Sequence, residues 1–246
     1  MTQIALVTGA AQGLGHAIAG RLFAAGYAVV LSDLSLERAQ AAAQALDASG
    51  ERVLALKLDV ASKTDFEQAL AATLERFGAL HVVVNNAAMT LTTPVMQISP
   101  EEFDRVMSLN TRSVFVGCQV FGAHMAKAGY GRIVNMASLA GQNGGTATGA
   151  HYAASKGAIV TLTKIFAKEL AAGGVTVNAI APGPIDSPMV RAAIAPERMD
   201  GLLANIPVRR LGDADFIGDL VVQLASPQAY FTTGATWDVN GGLFMR

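Results

Sequence analysis

Ile4-Ala5-Leu6-Val7-Thr8-Gly9-Ala10-Ala11-Gln12-Gly13-Leu14-Gly15-His16 sets the fold class of this chain. Its first five residues form an apolar, β-branched run of strand length. The Ala-rich stretch Gly15–Ala25 that follows reads as a helix. Between them lie three glycines spaced Gly-x-x-x-Gly-x-Gly. A glycine-rich turn from strand to helix lets the backbone approach a pyrophosphate at the positive end of the helix dipole. The glycines serve the tight turn, the close approach and the helix–strand packing. No Gly-Lys-Ser/Thr follows, so the turn is not a nucleoside-triphosphate P-loop. Read by itself, the segment is also compatible with an ordinary glycine-rich connection.

Working outward, further apolar runs are Ala28–Ser32, Val53–Lys57, Leu80–Asn85, Arg132–Ala137, Val175–Ala181 and Thr236–Val239. All but the last show little polar alternation, as expected of strands covered on both faces. Helical stretches alternate with them at Leu36–Ser49, Thr64–Phe77, Pro100–Ala128 and Tyr152–Ala171. Ser99-Pro100-Glu101-Glu102 is a well-formed helix start, with a capping hydroxyl, proline at the first helical position and acids near the dipole's positive end. Strand–helix alternation predicts parallel strands joined by right-handed crossovers. The expected architecture is an α/β, single-domain, doubly wound (Rossmann) parallel sheet of about seven strands with helices on both faces, spanning residues 1–246. The less regular, proline-bearing segment 184–213 is expected to form a flap over a substrate pocket.

Composition narrows the function classes. Hydrophobic residues make up 52% and charged residues 15% of the chain, so a large apolar core is expected, with part of the excess covered by a subunit contact. The formal net charge is −1 and no basic stripe is present, which argues against a nucleic-acid partner. No run approaches the ~18 apolar residues of a membrane span, and the N-terminus lacks the pattern of a secretory signal. Cys118 is the sole cysteine, so no intrachain disulfide can form and no zinc-ligand spacing exists. The expected setting is cytoplasmic, with no membrane partner. His16, His81 and His124 form no ligand set, and no metal is assigned.

Two constellations carry chemistry. Asp33 closes the second strand about 20 residues past the glycines, where a carboxylate can accept hydrogen bonds from the ribose hydroxyls of a dinucleotide. The same charge repels a 2′-phosphate, and neither Gln12 nor Leu34 offers a base to neutralise it. Arg38 stands a helical turn or so further on. The expected cofactor is therefore NAD, although Asp33 or Ser35 can also serve as a helix cap. Tyr152 and Lys156, four positions apart, share one face of a helix. An ammonium ~4 Å from a phenol at an effective dielectric of ~20 interacts by about 4 kcal/mol, enough to lower the phenol pKa by up to ~3 units. Ser138 follows the fifth strand at the carboxyl edge, where doubly wound sheets bind ligands, and can hydrogen-bond a substrate oxygen. His151, one position from Tyr152, turns about 100° away along the helix and is expected to line the pocket or an interface.

Together the glycine spacing, Asn85-Asn86-Ala87, Asn110, Ser138, Tyr152-x-x-x-Lys156 and Pro182-Gly183 resemble, in order and over essentially the whole chain, the short-chain dehydrogenase/reductases. That resemblance implies roles for matching positions. Tyr152 would be the general acid/base, and Lys156 would lower its pKa and bind the nicotinamide ribose. Ser138 would polarise the substrate oxygen and Asn110 would support a relay water; read alone, Asn110 is equally a helix-interior amide bonded to nearby backbone. Gly9, Gln12, Gly13, Leu14 and Gly15 would cradle the cofactor, Asn86 and Ala87 would line it, and Asp59 and Val60 would flank the adenine. Pro182, Gly183, Ile185 and Ser187 would hold the nicotinamide side. The asparagine motif ends in Ala88 where glycine is usual, and Ser187 stands where threonine is common.

The resemblance implies an oxidoreductase moving a hydride between a nicotinamide and a secondary alcohol or ketone, assembled as a homotetramer through the helices of 100–128 and 152–171 and the C-terminal segment. The sequence is similar to both 3-oxoacyl-carrier-protein reductases and NAD-dependent secondary-alcohol dehydrogenases. Gly129-Tyr130 and Gly173-Gly174 occupy stretches where carrier-binding bases would be expected, which with Asp33 favours a small-molecule alcohol or ketone as partner. A 3-oxoacyl-thioester reductase is the alternative, and a non-catalytic NAD-binding protein a more remote one. Leu139, Ala140, Gln142, Met189, Val190, Ile194 and Met199 are candidate pocket-wall residues.

Overall fold

The structure, a computed structural model, describes residues 2–145, 148–186 and 196–246. Seven strands form one fully parallel sheet: β1 (Ile4–Thr8), β2 (Ala28–Asp33), β3 (Val53–Lys57), β4 (Val82–Asn85), β5 (Gly131–Met136), β6 (Val175–Pro182) and β7 (Thr236–Val239). Their spatial order is β3-β2-β1-β4-β5-β6-β7. From β1 the chain winds outward through β2 and β3, then returns to lay β4 on the other side of β1. The carboxyl ends of β1 and β4 therefore diverge into a crevice, the switch point at which open α/β sheets bind ligands.

The helices are α1 (Gly13–Ala24), α2 (Leu36–Leu46), α3 (Lys63–Phe77), α4 (Pro100–Met107), α5 (Ser113–Ala128), the single turn α6 (Ala140–Asn143), α7 (Ala150–Leu170), α8 (Pro196–Asn205) and α9 (Ala214–Ala225). Alternating strand residues feed two cores. Leu6, Val30, Val83, Ile133 and Val177 pack with Phe66 of α3, Phe121 of α5 and Ile159 of α7. Val7, Leu31, Val84 and Val134 pack with Ile18 and Leu22 of α1 and Ile217 and Val221 of α9. The continuous apolar runs are thus period-two patterns in which both faces are covered.

Two expected helices differ in their extent. The stretch 100–128 is not one helix: a π-helical turn, Ser108–Arg112, separates α4 from α5 and carries Asn110. Such wide turns have an extra residue per turn and collect at functional sites. α2 stops at Leu46 rather than Ser49, because the Asp47 carboxylate accepts hydrogen bonds from Ser49 and from the Arg52 backbone and folds the chain into a turn. Ser99 does cap α4, accepting from the Glu102 backbone N–H at 3.2 Å.

Phe121 is fully buried and packs edge-to-face on Phe66, with ring centroids 5.6 Å apart. Phe121→Ala should cost about 3–5 kcal/mol of unfolding free energy. Denaturant titration should show a lower midpoint at unchanged slope; an unchanged midpoint would contradict this packing.

Candidate active site

The glycine turn is braced from β4. The Thr8 hydroxyl accepts from the backbone N–H groups of Asn86 and Ala87, each at 3.0 Å. Asn86 Nδ2 donates back to the carbonyl oxygens of Thr8 at 2.9 Å and Gly9 at 3.3 Å. Thr8 was not a candidate from the sequence, and the Asn86 side chain, expected to line a cofactor, is spent on holding the turn. Gly15 lies so close beneath that turn that a Cβ would overlap the Gly9 carbonyl oxygen and stand 2.5 Å from Asn86 Nδ2. Gly9 and Gly13 both take positive φ, and around Gly13 an added Cβ would meet nothing within 4 Å. Gln12 is exposed and Leu14 half-buried at the start of α1. The turn is thus crowded at Gly15 and open around Gly13, at the N-terminus of α1.

Beside it, at the end of β2, Asp33 is 7% exposed. Its Oδ1 accepts from the Ser35 backbone N–H and from Arg38 Nη2, both at 3.1 Å. This revises the placement of Arg38: it sits in the first turn of α2, and its length returns the guanidinium to Asp33. Ser35 supplies the cap of α2, accepting from the Arg38 backbone, so Asp33 is not the helix cap. Asp59 follows β3 and receives the Ala61 N–H in a tight turn, while Val60 packs on the core.

Tyr152 and Lys156 lie on the α7 face that meets the carboxyl edge of the sheet. Lys156 is 4% exposed, donates from Nζ to the Met136 carbonyl oxygen at 2.6 Å and stands 5.6 Å from the Tyr152 ring centroid. Burial pulls its pKa from an ordinary 10.5 to about 8. The Tyr152 phenol is pushed above its ordinary range by burial, an effect opposed by its interaction with the Ser138 hydroxyl. That differs from the expected lowering by Lys156. Desolvation of the phenol dominates, and the ammonium is directed at a backbone carbonyl. A phenol held protonated near neutrality is a proton donor.

Asn110 is fully buried. Its Oδ1 accepts from Met89 N, and its Nδ2 donates to Met89 O and to the Ser155 hydroxyl, at 2.8, 2.8 and 3.0 Å. It therefore clamps the segment following β4 to α7, a use of the amide invisible in the sequence. His151 corrects an expectation: it lines neither pocket nor surface but is completely buried, bonded to Glu102. Of the residues expected on the nicotinamide side, Pro182 ends β6, Gly183 donates to Val239 O at 2.9 Å, and Ile185 forms a parallel bridge with Gly212. Ser187, Met189, Val190 and Ile194 lie outside the described residues. Among the other expected wall residues, Leu139 and Ala140 are buried, Met199 is half-buried on α8, and Gln142 donates to Asp238. A cleft of ≈ 540 Å³ instead opens between Thr92-Thr93-Pro94 and Thr148-Gly149-Ala150, immediately before Tyr152. The 92–94 wall carried no sequence signal.

A family profile described as enoyl-(acyl carrier protein) reductase matches residues 9–244. The 2-(R)-hydroxypropyl-CoM dehydrogenase of Xanthobacter autotrophicus is 40% identical over 246 residues, covering 98% of each chain. The 3-oxoacyl-acyl-carrier-protein reductases of Staphylococcus epidermidis and Escherichia coli are 36% and 38% identical, over 100% and 99% of this chain and 100% and 98% of their own. A doubly wound sheet with a glycine turn at its switch point defines a dinucleotide-dependent class of protein. This chain belongs to the short-chain dehydrogenase/reductase family of oxidoreductases, which use a nicotinamide cofactor. Among the described residues, no helix is long and apolar enough to cross a membrane.

Charging Lys156 inside the fold opposes folding. Between about pH 8 and 10.5 the folded chain holds fewer protons at this site than the unfolded chain, so the penalty is complete below pH 8 and fades as pH rises through 10.5. The shift corresponds to about 3 kcal/mol. The stability of Lys156→Met relative to wild type should therefore fall by about that amount between those pH values. Parallel pH–stability curves in denaturant would show that no such penalty exists.

Proposed function

We propose that the chain is an NAD(H)-dependent oxidoreductase interconverting a secondary alcohol and its ketone. The reading is carried by one observation: Tyr152, beside Ser138 and Lys156, lies at the carboxyl edge of the sheet whose switch point holds the glycine turn. The crowded, glycine-only underside of that turn fits a pyrophosphate above it. Gly9, Gln12, Gly13, Leu14 and Gly15 would hold the pyrophosphate, Asp33 the adenosine ribose, and Asp59 and Val60 the adenine side. Asn86 and Ala87 would line the cofactor, and Pro182, Gly183, Ile185 and Ser187 would hold the nicotinamide side. When bound, the nicotinamide supplies or takes up the hydride.

The protein's own groups supply position and proton. In ketone reduction the Tyr152 phenol gives its proton to the carbonyl oxygen while the Ser138 hydroxyl donates a hydrogen bond to the same atom. In alcohol oxidation the proton returns to Tyr152. Lys156 places a positive charge beside the phenolate left by proton transfer, and Asn110 holds the chain segment bordering α7. Segment 184–213 would act as a flap over the substrate. Its ends are stapled by hydrogen bonds from Gly212 N to Pro184 O and from Asp186 N to Gly212 O, at 2.9 and 2.8 Å. A homotetramer in the cytoplasm is the proposed working form, with Phe115 and Ile165, exposed on α5 and α7, at its contacts.

NAD is preferred over NADP because Asp33 presents a carboxylate at the ribose position. Arg38, already engaged on Oδ1, must leave that pair to meet a 2′-phosphate. The pair is half-exposed on the arginine side and so is worth little, about 0–1 kcal/mol, which makes Asp33 the principal discriminator. Asp33→Ala should reduce the NADH/NADPH affinity ratio by about 10-fold or more, read by fluorescence titration of both cofactors; an unaltered ratio would remove Asp33 from this role.

A second reading, reduction of a 3-oxoacyl thioester, draws support from the similarity to the two carrier-protein reductases. Acetoacetyl-CoA run beside simple ketones and secondary alcohols, with NADH and NADPH in parallel, separates the two. In either reading, Tyr152→Phe should lower turnover by about 10²–10⁴-fold with cofactor affinity preserved. Undiminished turnover would end the acid/base assignment.

A further inference from the structure

α7, which carries both Tyr152 and Lys156, begins without an ordinary cap. Its N-cap residue is Gly149, which has no side chain to satisfy the first free N–H groups of the helix. The residue that fills this gap is His151. Its ring folds back so that Nδ1 accepts the Tyr152 backbone N–H at 2.9 Å. Its other nitrogen, Nε2, meets Glu102 Oε1 at 2.8 Å, with the imidazole 0% exposed. An Nδ1 that accepts leaves the proton on Nε2, so the ring donates to the Glu102 carboxylate.

Glu102 is itself anchored. It sits in the first turn of α4, its backbone N–H bonded to the Ser99 cap, and hydrogen bonds from Thr93 and His151 hold its carboxyl below the usual carboxylate range. Thr93 belongs to the wall of the ≈ 540 Å³ cleft, and the neighbouring Leu91 carbonyl accepts the Gly149 N–H at 2.8 Å. Two elements distant in sequence, α4 and α7, therefore meet on one imidazole, and the 91–93 segment bonds to both of them beside it. Gly149 is required for this: a Cβ there would overlap the ring and stand 2.6 Å from Nδ1.

We propose that His151, oriented by Glu102, is a positioning residue that fixes the backbone of Tyr152 and thereby the placement of its phenol beside Ser138 and Lys156. The inference rests on the proposed role of Tyr152 for its catalytic meaning, but the positioning itself is readable without turnover. Two replacements separate the ring's functions. Asparagine places an acceptor where Nδ1 stands and keeps the cap; glutamine reaches where Nε2 stands, keeps the Glu102 contact and loses the cap.

The experiment is a pH titration of the Tyr152 phenol by NMR in protein labelled at the tyrosine ring carbon bearing oxygen. The chain has four tyrosines, and the Tyr152 signal is assigned by its loss in Tyr152→Phe. At the pH where this phenol ionises Lys156, with its pKa of about 8, is already neutral, so the midpoint reports the burial of the phenol and its hydrogen bond with Ser138. A hydrogen bond to a charged group is worth about one to two pH units, so its partial loss moves the midpoint by about half a unit. His151→Gln should move the midpoint by at least that much, His151→Asn should bring it back to within about 0.2 units, and Glu102→Gln, which retains an acceptor for the ring, should leave it in place. If His151→Gln does not fold, Gly149→Ala displaces the ring in its stead and should reproduce the shift. Equal shifts in His151→Gln and His151→Asn, or none in either, would overturn the proposal. Turnover of acetoacetyl-CoA and 2-butanone by Tyr152→Phe reports separately on the acid/base reading: an active Tyr152→Phe enzyme removes that reading, while the NMR comparison still decides the positioning.

Discussion

The Thr8 hydroxyl sits on the seam between β1 and β4, where the strand order reverses and the sheet opens. By accepting two backbone N–H groups from the start of the segment after β4, it ties the two sides of that opening together at their carboxyl ends. Asn86 returns the bond with its side chain, so the glycine turn is fixed from both directions. A buried backbone group left unpaired here would cost about 1–3 kcal/mol. The seam is therefore closed at its base by hydrogen bonds and open only above. Every other element of the site is measured from it: Asp33 on the adjacent β2, Ser138 beyond β5, and α7 crossing the same edge.

The site also carries a cost that the core must offset. Lys156 is a nearly fully buried cation whose nearest hydrogen-bond partner is a neutral carbonyl. Its ammonium lies against Tyr152, a phenol that burial keeps protonated. Burial disfavours the ionised form of both side chains on this one helix face. The two apolar layers on either side of the sheet supply the stability that tolerates them.

Much of this was legible in the sequence. The seven strands, the glycine turn, Asp33, Ser138 and the Tyr152–Lys156 pair are each local patterns: a β-branched run, a spacing, an acid at a strand end, two residues one helical turn apart. What escaped were contacts between segments. His151 and Glu102 lie 49 positions apart, and nothing local to either announces the other. Asn110 was identified by its position in a motif, whereas its hold on Met89 and Ser155 and its place in a π-helical turn depend on how α4 and α5 settle against α7. Arg38 was discounted from its distance along the chain, yet a long flexible side chain in a helix's first turn reaches back across it.

Alone, the order of apolar runs and turns determined that this chain builds a doubly wound parallel sheet with a glycine turn after its first strand, because strand and helix periodicities and glycine's backbone freedom are properties of neighbouring residues. Tertiary structure decided the protonation environment of Tyr152 and Lys156, the wall of the cleft and the fixing of α7. Those depend on burial and on hydrogen bonds across the fold, and both exist only once distant segments have excluded water together.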